Sequence, residues 1–171
     1  MAFQAYIAVK GIKQGQFKSE TAAEGRKDKW MPLVGFTMEV ISPRDPATGL
    51  PTGKRQYAPL TIVKEWGAAS PQALTAWANN ETLTEVDIEF TRPATTASGG
   101  TEIVYQTVTL TDAAFGGIDR FTQEVPPTPT AGPKAATDAA HRERWTFTFT
   151  TIKVEDKVGK TAFAGNAHAT N

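Results

Sequence analysis

The stretch Leu83-Thr-Glu-Val-Asp-Ile-Glu-Phe-Thr91 gives the clearest structural signal in the chain. Apolar and acidic side chains alternate along it, with Val86, Ile88 and Phe90 on one face and Glu85, Asp87 and Glu89 on the other. A period of two residues is that of a β-strand with one buried face and one solvated face. The sequence therefore predicts a strand here, with a solvated acidic surface.

The same alternation recurs in both directions from this stretch, in segments 3–9, 30–41, 55–66, 102–111 and 144–154. In the last segment Trp145, Phe147 and Phe149 share a face, and the apolar phase then shifts to Ile152 and Val154. Such a shift indicates a bulge or a strand that passes from one packing layer to another. Six or more strands with polar outer faces, in a chain rich in threonine, predict an antiparallel barrel or sandwich rather than an α/β fold.

One segment, Ser70–Asn79, has a helical pattern instead. Ser70 is predicted as its N-cap and Pro71 as its first residue, a favoured way to start a helix. The helix is expected to end at Asn79-Asn80. Its apolar stripe is Ala73, Leu74, Trp77 and Ala78. We expect one short helix that plugs or flanks the β-structure through this stripe.

Composition excludes several classes of protein. The 171 residues suit a single domain over 1–171, and 18 basic residues balance 18 acidic ones. Zero net charge argues against nucleic-acid binding and polybasic membrane attachment. There is no cysteine, so disulfides and thiolate chemistry are excluded. We expect no membrane insertion, because no run approaches the ~18 apolar residues of a membrane helix. Met1–Lys10 lacks a cationic leader, so we expect cytoplasmic synthesis and, if the protein is exported, a route that needs no signal peptide.

No catalytic or cofactor-binding constellation is found. Gly159-Lys160-Thr161 ends like a phosphate-binding loop, but Val154 stands where its first glycine belongs. His141 is expected to be an exposed or interface histidine rather than a general base, and His168 lies near the end of the chain. The tryptophans are interpreted as core or interface residues, at positions Trp30, Trp66, Trp77 and Trp145. We therefore expect no enzyme activity, no cofactor and no metal.

Three segments are predicted as loops or tails. Ser42–Lys54 (SPRDPATGLPTGK) combines three prolines and two glycines with charges, between two strands. Gln123–Ala139 is rich in Pro, Thr and Ala, and we expect it to be extended or mobile. From about residue 157 the alternation fades, and this tail is expected to be flexible or used in assembly.

The order of these elements resembles the haemolysin co-regulated protein (Hcp) family, the inner-tube proteins of bacterial type VI secretion systems. The resemblance covers nearly the whole chain, from FQAYIAVK (3–10) to ERWTFTFTTIKVED (143–156). The features that support it most are the run Pro59–Lys64 just ahead of Ser70-Pro71 and the strand of alternating Thr and aromatic residues near the end. The chain departs from the family in two places: its long loop is proline-rich rather than glycine-rich, and QEVPPTPTAGPK is longer than usual.

The resemblance implies a small antiparallel β-barrel of two sheets with one short helix. It also implies homohexameric rings that stack into a hollow tube and carry effector proteins, with a spike-tip protein and a contractile sheath as further partners. The tail-tube protein of a phage or phage-derived particle shares this architecture and is the alternative. A monomeric carbohydrate-binding sandwich would instead need an exposed row of Trp30, Trp66 and Trp145.

The long loop is our candidate for the contact between stacked rings. Its prolines pre-stiffen it, which lowers the entropy lost on docking. Arg44 and Asp45 are the candidate charge partners across the contact. The residues predicted for this ring-stacking loop are Ser42, Pro43, Arg44, Asp45, Pro46, Thr52, Gly53 and Lys54.

Overall fold

The structure is a computed structural model that describes residues 4–21, 26, 28–94, 102–124 and 139–168. The described residues form twelve strands and one helix. In chain order these are β1 (Gln4–Gly11), β2 (Gly15–Gln16), β3 (Met31–Pro32), β4 (Gly35–Thr37), β5 (Val40–Ile41), β6 (Gln56–Tyr57), β7 (Leu60–Glu65), α1 (Ala69–Ala78), β8 (Leu83–Pro93), β9 (Glu102–Glu124), β10 (Ala139–Thr148), β11 (Thr151–Asp156) and β12 (Thr161–Asn166).

The main strands form two sheets, and the 23-residue strand β9 belongs to both of them. Its first half lies between β8 and β11, and its second half pairs with β10. β8 continues to β1, β11 to β12, and β10 to β7 and β4, all antiparallel. The register aligns apolar side chains across the first sheet in the row Ile7, Ile88, Val108, Val154 and Phe163. The buried members of this row, Ile7, Ile88 and Val108, belong to the hydrophobic core.

A short segment links the outer strands of the two sheets. β3 pairs with β1, and β4 pairs with β7. Between them Leu33 N–H donates to Ala5 O and Val34 N–H donates to Val63 O. This segment therefore joins the outer strands of the two sheets, and the prediction of a mainly β, antiparallel fold with one helix is confirmed. The prediction of a single strand at 30–41 is wrong in detail. The segment is divided into β3, β4 and β5, because the chain passes from one sheet to the other within it.

The phase shift near the end of the chain marks a change of sheet, as the sequence indicates. β10 pairs with the second half of β9 and β11 with the first half, so the chain crosses between the sheets at Phe149-Thr150. Trp145, Phe147 and Phe149 are all buried. The rings of Trp145 and Phe147 pack against Phe115 of β9, and the ring of Phe149 packs edge-on against Tyr57.

The helix differs from its prediction in its start. It begins at Ala69, with Ala68 as N-cap. Within the described residues, no side chain makes a capping hydrogen bond there. The prediction of Ser70 as N-cap is wrong. Ser70 lies inside the first turn, where its Oγ accepts a hydrogen bond from Gly67 N and donates one to Glu143, 2.7 Å away. The hydroxyl is directed to a buried carboxylate instead of to the helix backbone. The predicted end is confirmed, with Asn80 in the left-handed region at φ 47°.

The buried face of α1 also differs. Ala69, Ala73 and Ala76 face the core, whereas Leu74 is 38% exposed and Trp77 is 53% exposed. The predicted stripe of larger side chains is therefore wrong, apart from Ala73. The small alanine side chains allow α1 to lie close against β9.

Part of the predicted tail is a strand. Thr161–Asn166 forms β12, which pairs with β11 along its whole length. The structure thus contains a strand where the alternation in the sequence is too weak to predict one. The flexibility of this tail and its use in assembly stay predictions, and most of the Pro-rich segment 123–139 lies outside the described residues.

Candidate assembly site: an exposed hairpin arm

The predicted loop 42–54 is the greater part of a β-hairpin, which we call the arm and define as Val40–Tyr57. Its root is the two-stranded sheet of β5 and β6, in which Val40 faces Tyr57 and Ile41 faces Gln56. The pairing continues outward through a bridge between Arg44 and Pro51. Cross-strand hydrogen bonds run from Asp45 N to Leu50 O at 2.9 Å and from Thr52 N to Pro43 O at 3.0 Å. The arm is therefore a preorganised hairpin rather than an irregular loop.

The turn at the tip of the arm uses both predicted charge partners. Gly49 N donates to Asp45 O at 2.8 Å, and Gly49 takes a left-handed φ of 69° that suits a glycine. The Asp45 carboxylate accepts from Ala47 N at 2.7 Å, which is an Asx turn. Arg44 Nη1 donates to Gly49 O at 2.9 Å. Arg44 and Asp45 thus hold the turn and bring two opposite charges to the tip.

All eight predicted site residues lie on the arm, and this fully described stretch contains no buried residue. Pro43, Asp45 and Tyr57 are half-buried, and the remaining residues of Val40–Tyr57 are exposed. The arm is therefore exposed along nearly all of its length.

The root of the arm is fixed to the body. The Tyr57 ring lies 6.0 Å from the Phe149 ring in an edge-on arrangement, and Ala58 N donates to Glu39 O at 3.0 Å. The Tyr57 hydroxyl lies so close to Gly165 of β12 that a Cβ there would collide with it. A glycine is needed at position 165 for this approach, and the arm therefore leaves the body in a defined direction.

An apolar groove lies beneath the root of the arm, between the arm and the hairpin β11–β12. Its volume is about 530 Å³. Its most exposed apolar walls are Val40, Ile41 and Phe163, which are 59%, 43% and 50% exposed. Sequence reasoning missed the groove because Phe163 falls in the predicted tail, and no local signal connects it to Ile41.

A buried charge cluster fixes α1 to the sheet. The Lys64 ammonium on β7 lies 3.0 Å from Glu143 Oε1 on β10, and both side chains are almost wholly buried. Ser70 of α1 donates to the same oxygen, and Arg120 Nε lies 3.5 Å from the other carboxylate oxygen. Four elements, β7, β9, β10 and α1, meet at this one carboxylate, so the cluster has a structural role in positioning the helix.

The remaining sequence candidates do not form a site together. His141 stacks on Trp66, with ring centres 4.7 Å apart, and Arg120 lies over the same indole. Trp145 is fully buried. The exposed row of Trp30, Trp66 and Trp145 that a carbohydrate-binding module needs is therefore not formed.

The acidic face of β8 is more covered than its sequence predicts. Glu85 is exposed, but Asp87 and Glu89 are half-buried. Arg26 Nη1 lies 2.9 Å from Glu89 and Lys29 Nζ lies 3.9 Å from Asp87. Burial is the main cause that raises the pKa of Asp87 to about 6, and the hydrogen bond that the protonated Asp87 carboxyl can donate to Glu85 is the second. The prediction of a fully solvated face is wrong at these two residues, because Arg26 and Lys29 lie over them.

The phosphate-loop fragment is a hairpin turn. Asp156 Oδ1 accepts from Val158 N at 3.0 Å and from Gly159 N at 2.6 Å, so an aspartate already occupies the donors that a phosphate would use. Among the described residues no group of three His, Asp or Glu side chains could hold a metal ion. The helix of the described part is too short to cross a bilayer.

Comparison with known proteins gives matches over most of the chain. The family model described as "Type VI secretion system effector, Hcp" matches residues 6–155. A curated relative, the "Major exported protein" of Pseudomonas aeruginosa PAO1, is 40% identical over 130 residues, which cover 71% of this chain and 73% of the relative. The secreted protein Hcp3 of Pseudomonas aeruginosa superposes with a TM-score of 0.75 at 26% identity, over 98% of this chain and all of that one. The Hcp1 protein of E. coli EAEC 042 superposes with a TM-score of 0.80 at 19% identity, over 97% and 99% of the two chains, and so supports the fold alone.

Proposed function

Because the chain belongs to the Hcp family of type VI secretion proteins, we propose that it is a structural subunit of the inner tube of such a system. Copies form hexameric rings, and the rings stack into a hollow tube that sheath contraction expels. Effector proteins travel in the lumen. The family is one of secreted tube proteins rather than of enzymes, and the match to it favours a type VI tube over a phage tail tube.

The observation that carries this proposal is the arm. A preorganised hairpin of 42–54 stands out from the body with its residues uncovered, and prolines and cross-strand hydrogen bonds limit the entropy lost when it docks. A head-to-tail contact that repeats along an axis generates a tube. The arm is the element whose physical properties suit that axial contact.

Strand edges support assembly in rings. Within the described residues β12 pairs on one side only, with β11. An unpaired edge is a hazard for a monomer, because it can pair with any other strand. A neighbouring copy that covers this edge turns the hazard into a specific contact.

The proposed route and partners follow from the same role. The protein is made in the cytoplasm and is exported through the type VI apparatus without a signal peptide. It meets other copies of itself, the spike-tip protein, the contractile sheath and effector proteins. Neither a cofactor nor nucleic acid takes part.

Shortening the arm tests this function. Residues 42–54 are replaced by an Asn-Gly turn, which suits a tight hairpin. We expect this variant to sediment as hexamers in analytical ultracentrifugation and to show single rings, without tubes, in electron micrographs. The Thr48→Ala variant changes the tip but keeps the hairpin, and it should stack as the parent does.

Two results would contradict the proposal in different ways. If shortened hexamers stack into tubes at the parent's yield, the arm is not the axial contact. If the parent itself sediments as single subunits at high concentration, the protein is not a ring-forming subunit.

A further inference from the structure

The outer face of α1 is apolar although it faces solvent. Leu74 and Trp77 are three residues apart and therefore lie on one side of the helix. A different set of residues, Ala69, Ser70, Ala73 and Ala76, is the one packed on the core. Neighbouring apolar side chains that stand exposed together can mark a contact site. The single chain leaves Leu74 38% exposed and Trp77 53% exposed.

We propose that Trp77 and Leu74 of one copy insert into the groove beneath the arm of the next copy in the ring. This inference rests on the proposed self-assembly and identifies the side-to-side contact between subunits. The occupant of the groove is thus the helix of a second copy of this chain.

The groove suits these two side chains in size and chemistry. Its volume of about 530 Å³ lies in the range of pockets that hold small molecules, roughly 300–1,000 Å³. Val40, Ile41 and Phe163 offer apolar walls that are partly exposed. Tryptophan is among the residues that most often dominate the free energy of an interface, since it buries about 150–250 Å² at little entropic cost.

The charges of the two surfaces are complementary. The last turn of α1, all of it described, holds no basic residue to offset the partial negative charge of its terminal carbonyl groups. Trp77 lies in that turn. Arg55 is among the residues that line the groove. Docking therefore brings a guanidinium close to the helix end that lacks a cation.

The placement of the two surfaces on one chain favours a second copy over any other partner. The outer face of α1 and the groove lie at different places on the same molecule, so contact between them is heterologous. Repeated heterologous contacts make a ring when the rotation from one copy to the next adds up to a full circle. Every groove and every helix in the ring is then filled. A different protein seated on either surface would leave the other one uncovered.

The absence of native cysteine permits a direct test. Trp77→Cys and Phe163→Cys are purified separately, mixed at assembly concentration and treated with a short bis-maleimide linker. We expect a covalent dimer from the mixture and little from either variant alone. Trp66→Cys, which also replaces a partly exposed tryptophan, mixed with Phe163→Cys is the matched control and should give no dimer.

A second variant tests the energetics independently. Ile41→Asp places a charge in the groove, and we expect it to raise the concentration needed for half-assembly by about tenfold or more. Val158→Asp puts the same charge at another exposed apolar residue, in the β11–β12 turn, and should assemble normally. Circular dichroism should show parent-like folding of both variants.

The outcomes separate the two proposals. Parent hexamers without a Trp77→Cys/Phe163→Cys link, or with full assembly of Ile41→Asp, would overturn the docking while leaving the ring intact. A parent protein that stays monomeric would overturn the ring and the docking together.

Discussion

Removing the negative charge of Glu143 should destabilise the fold far more than removing an exposed charge. In the Glu143→Gln variant the Lys64 ammonium, with 4% of its side chain exposed, keeps its burial but loses its counter-charge. The Gln side chain retains an oxygen that can accept from Ser70 Oγ, so the variant isolates the charge. Loss of one partner from a buried ion pair costs about 3–5 kcal/mol.

That cost is large against the total stability of a domain, about 5–15 kcal/mol. At about 2–4 °C per kcal/mol for a chain of this size, the melting temperature should fall by roughly 6–20 °C. The free energy of unfolding is measured by urea titration at one fixed protein concentration, because assembly adds concentration-dependent stability.

Two further variants make the reasoning refutable. The Arg144–Asp119 pair has a similar distance, 3.1 Å, but its side chains are 47% and 64% exposed, so Asp119→Asn should cost less than about 1 kcal/mol. The double variant Lys64→Met/Glu143→Gln removes both charges and should be more stable than Glu143→Gln alone. The buried pair does not act as described if Glu143→Gln costs no more stability than Asp119→Asn. The same holds if the stability losses of Lys64→Met and Glu143→Gln, each measured alone, simply add in the double variant.

Two other predictions concern the acidic face and the root of the arm. Because the pKa of Asp87 is raised to about 6, its ionisation in the folded state costs stability as the pH rises through 6 and costs nothing below about pH 4. In urea titrations Asp87→Asn should therefore be more stable than the parent by about 1–3 kcal/mol at pH 8 and equally stable at pH 4. A variant that is less stable than the parent at pH 8 would contradict this. Gly165→Ala places a methyl group against Tyr57 and should lower stability by about 1–3 kcal/mol and reduce the yield of stacked tubes in micrographs. Gly117→Ala, whose Cβ meets no described atom within 4 Å, should do neither, and equal behaviour of the two alanine variants would show that the approach of Tyr57 to Gly165 is unimportant.

Local alternation predicts strands well where each residue alternates and fails where glycine interrupts it. The strand predicted at 83–91 is observed as Leu83–Pro93. By contrast, β9 continues from the predicted end at Thr111 to Glu124. Asp112 takes a left-handed φ of 49°, and Gly116-Gly117 carries no side chains, so no periodic signal remains along this part of the strand.

Hydrophobicity alone does not decide which face of a helix is buried. Leu74 and Trp77 are more apolar than the alanines, yet the alanine face packs on β9. The distance between helix and sheet selects side-chain size, and that distance is a property of the assembled fold. Polar residues present the same difficulty: Lys64 and Glu143 look like surface residues, but they neutralise each other inside the protein.

The sequence by itself determined the antiparallel β architecture, the position of the helix and the place of the arm. Each of these depends on periodicity, or on prolines and glycines, within a dozen neighbouring residues. Only the tertiary structure decided that Phe163 lies across a groove from Ile41, that Ser70 and Lys64 meet at Glu143, and that Trp77 faces outward. These arrangements join residues that are distant along the chain, and strand register and sheet closure bring them together in ways that no local pattern records.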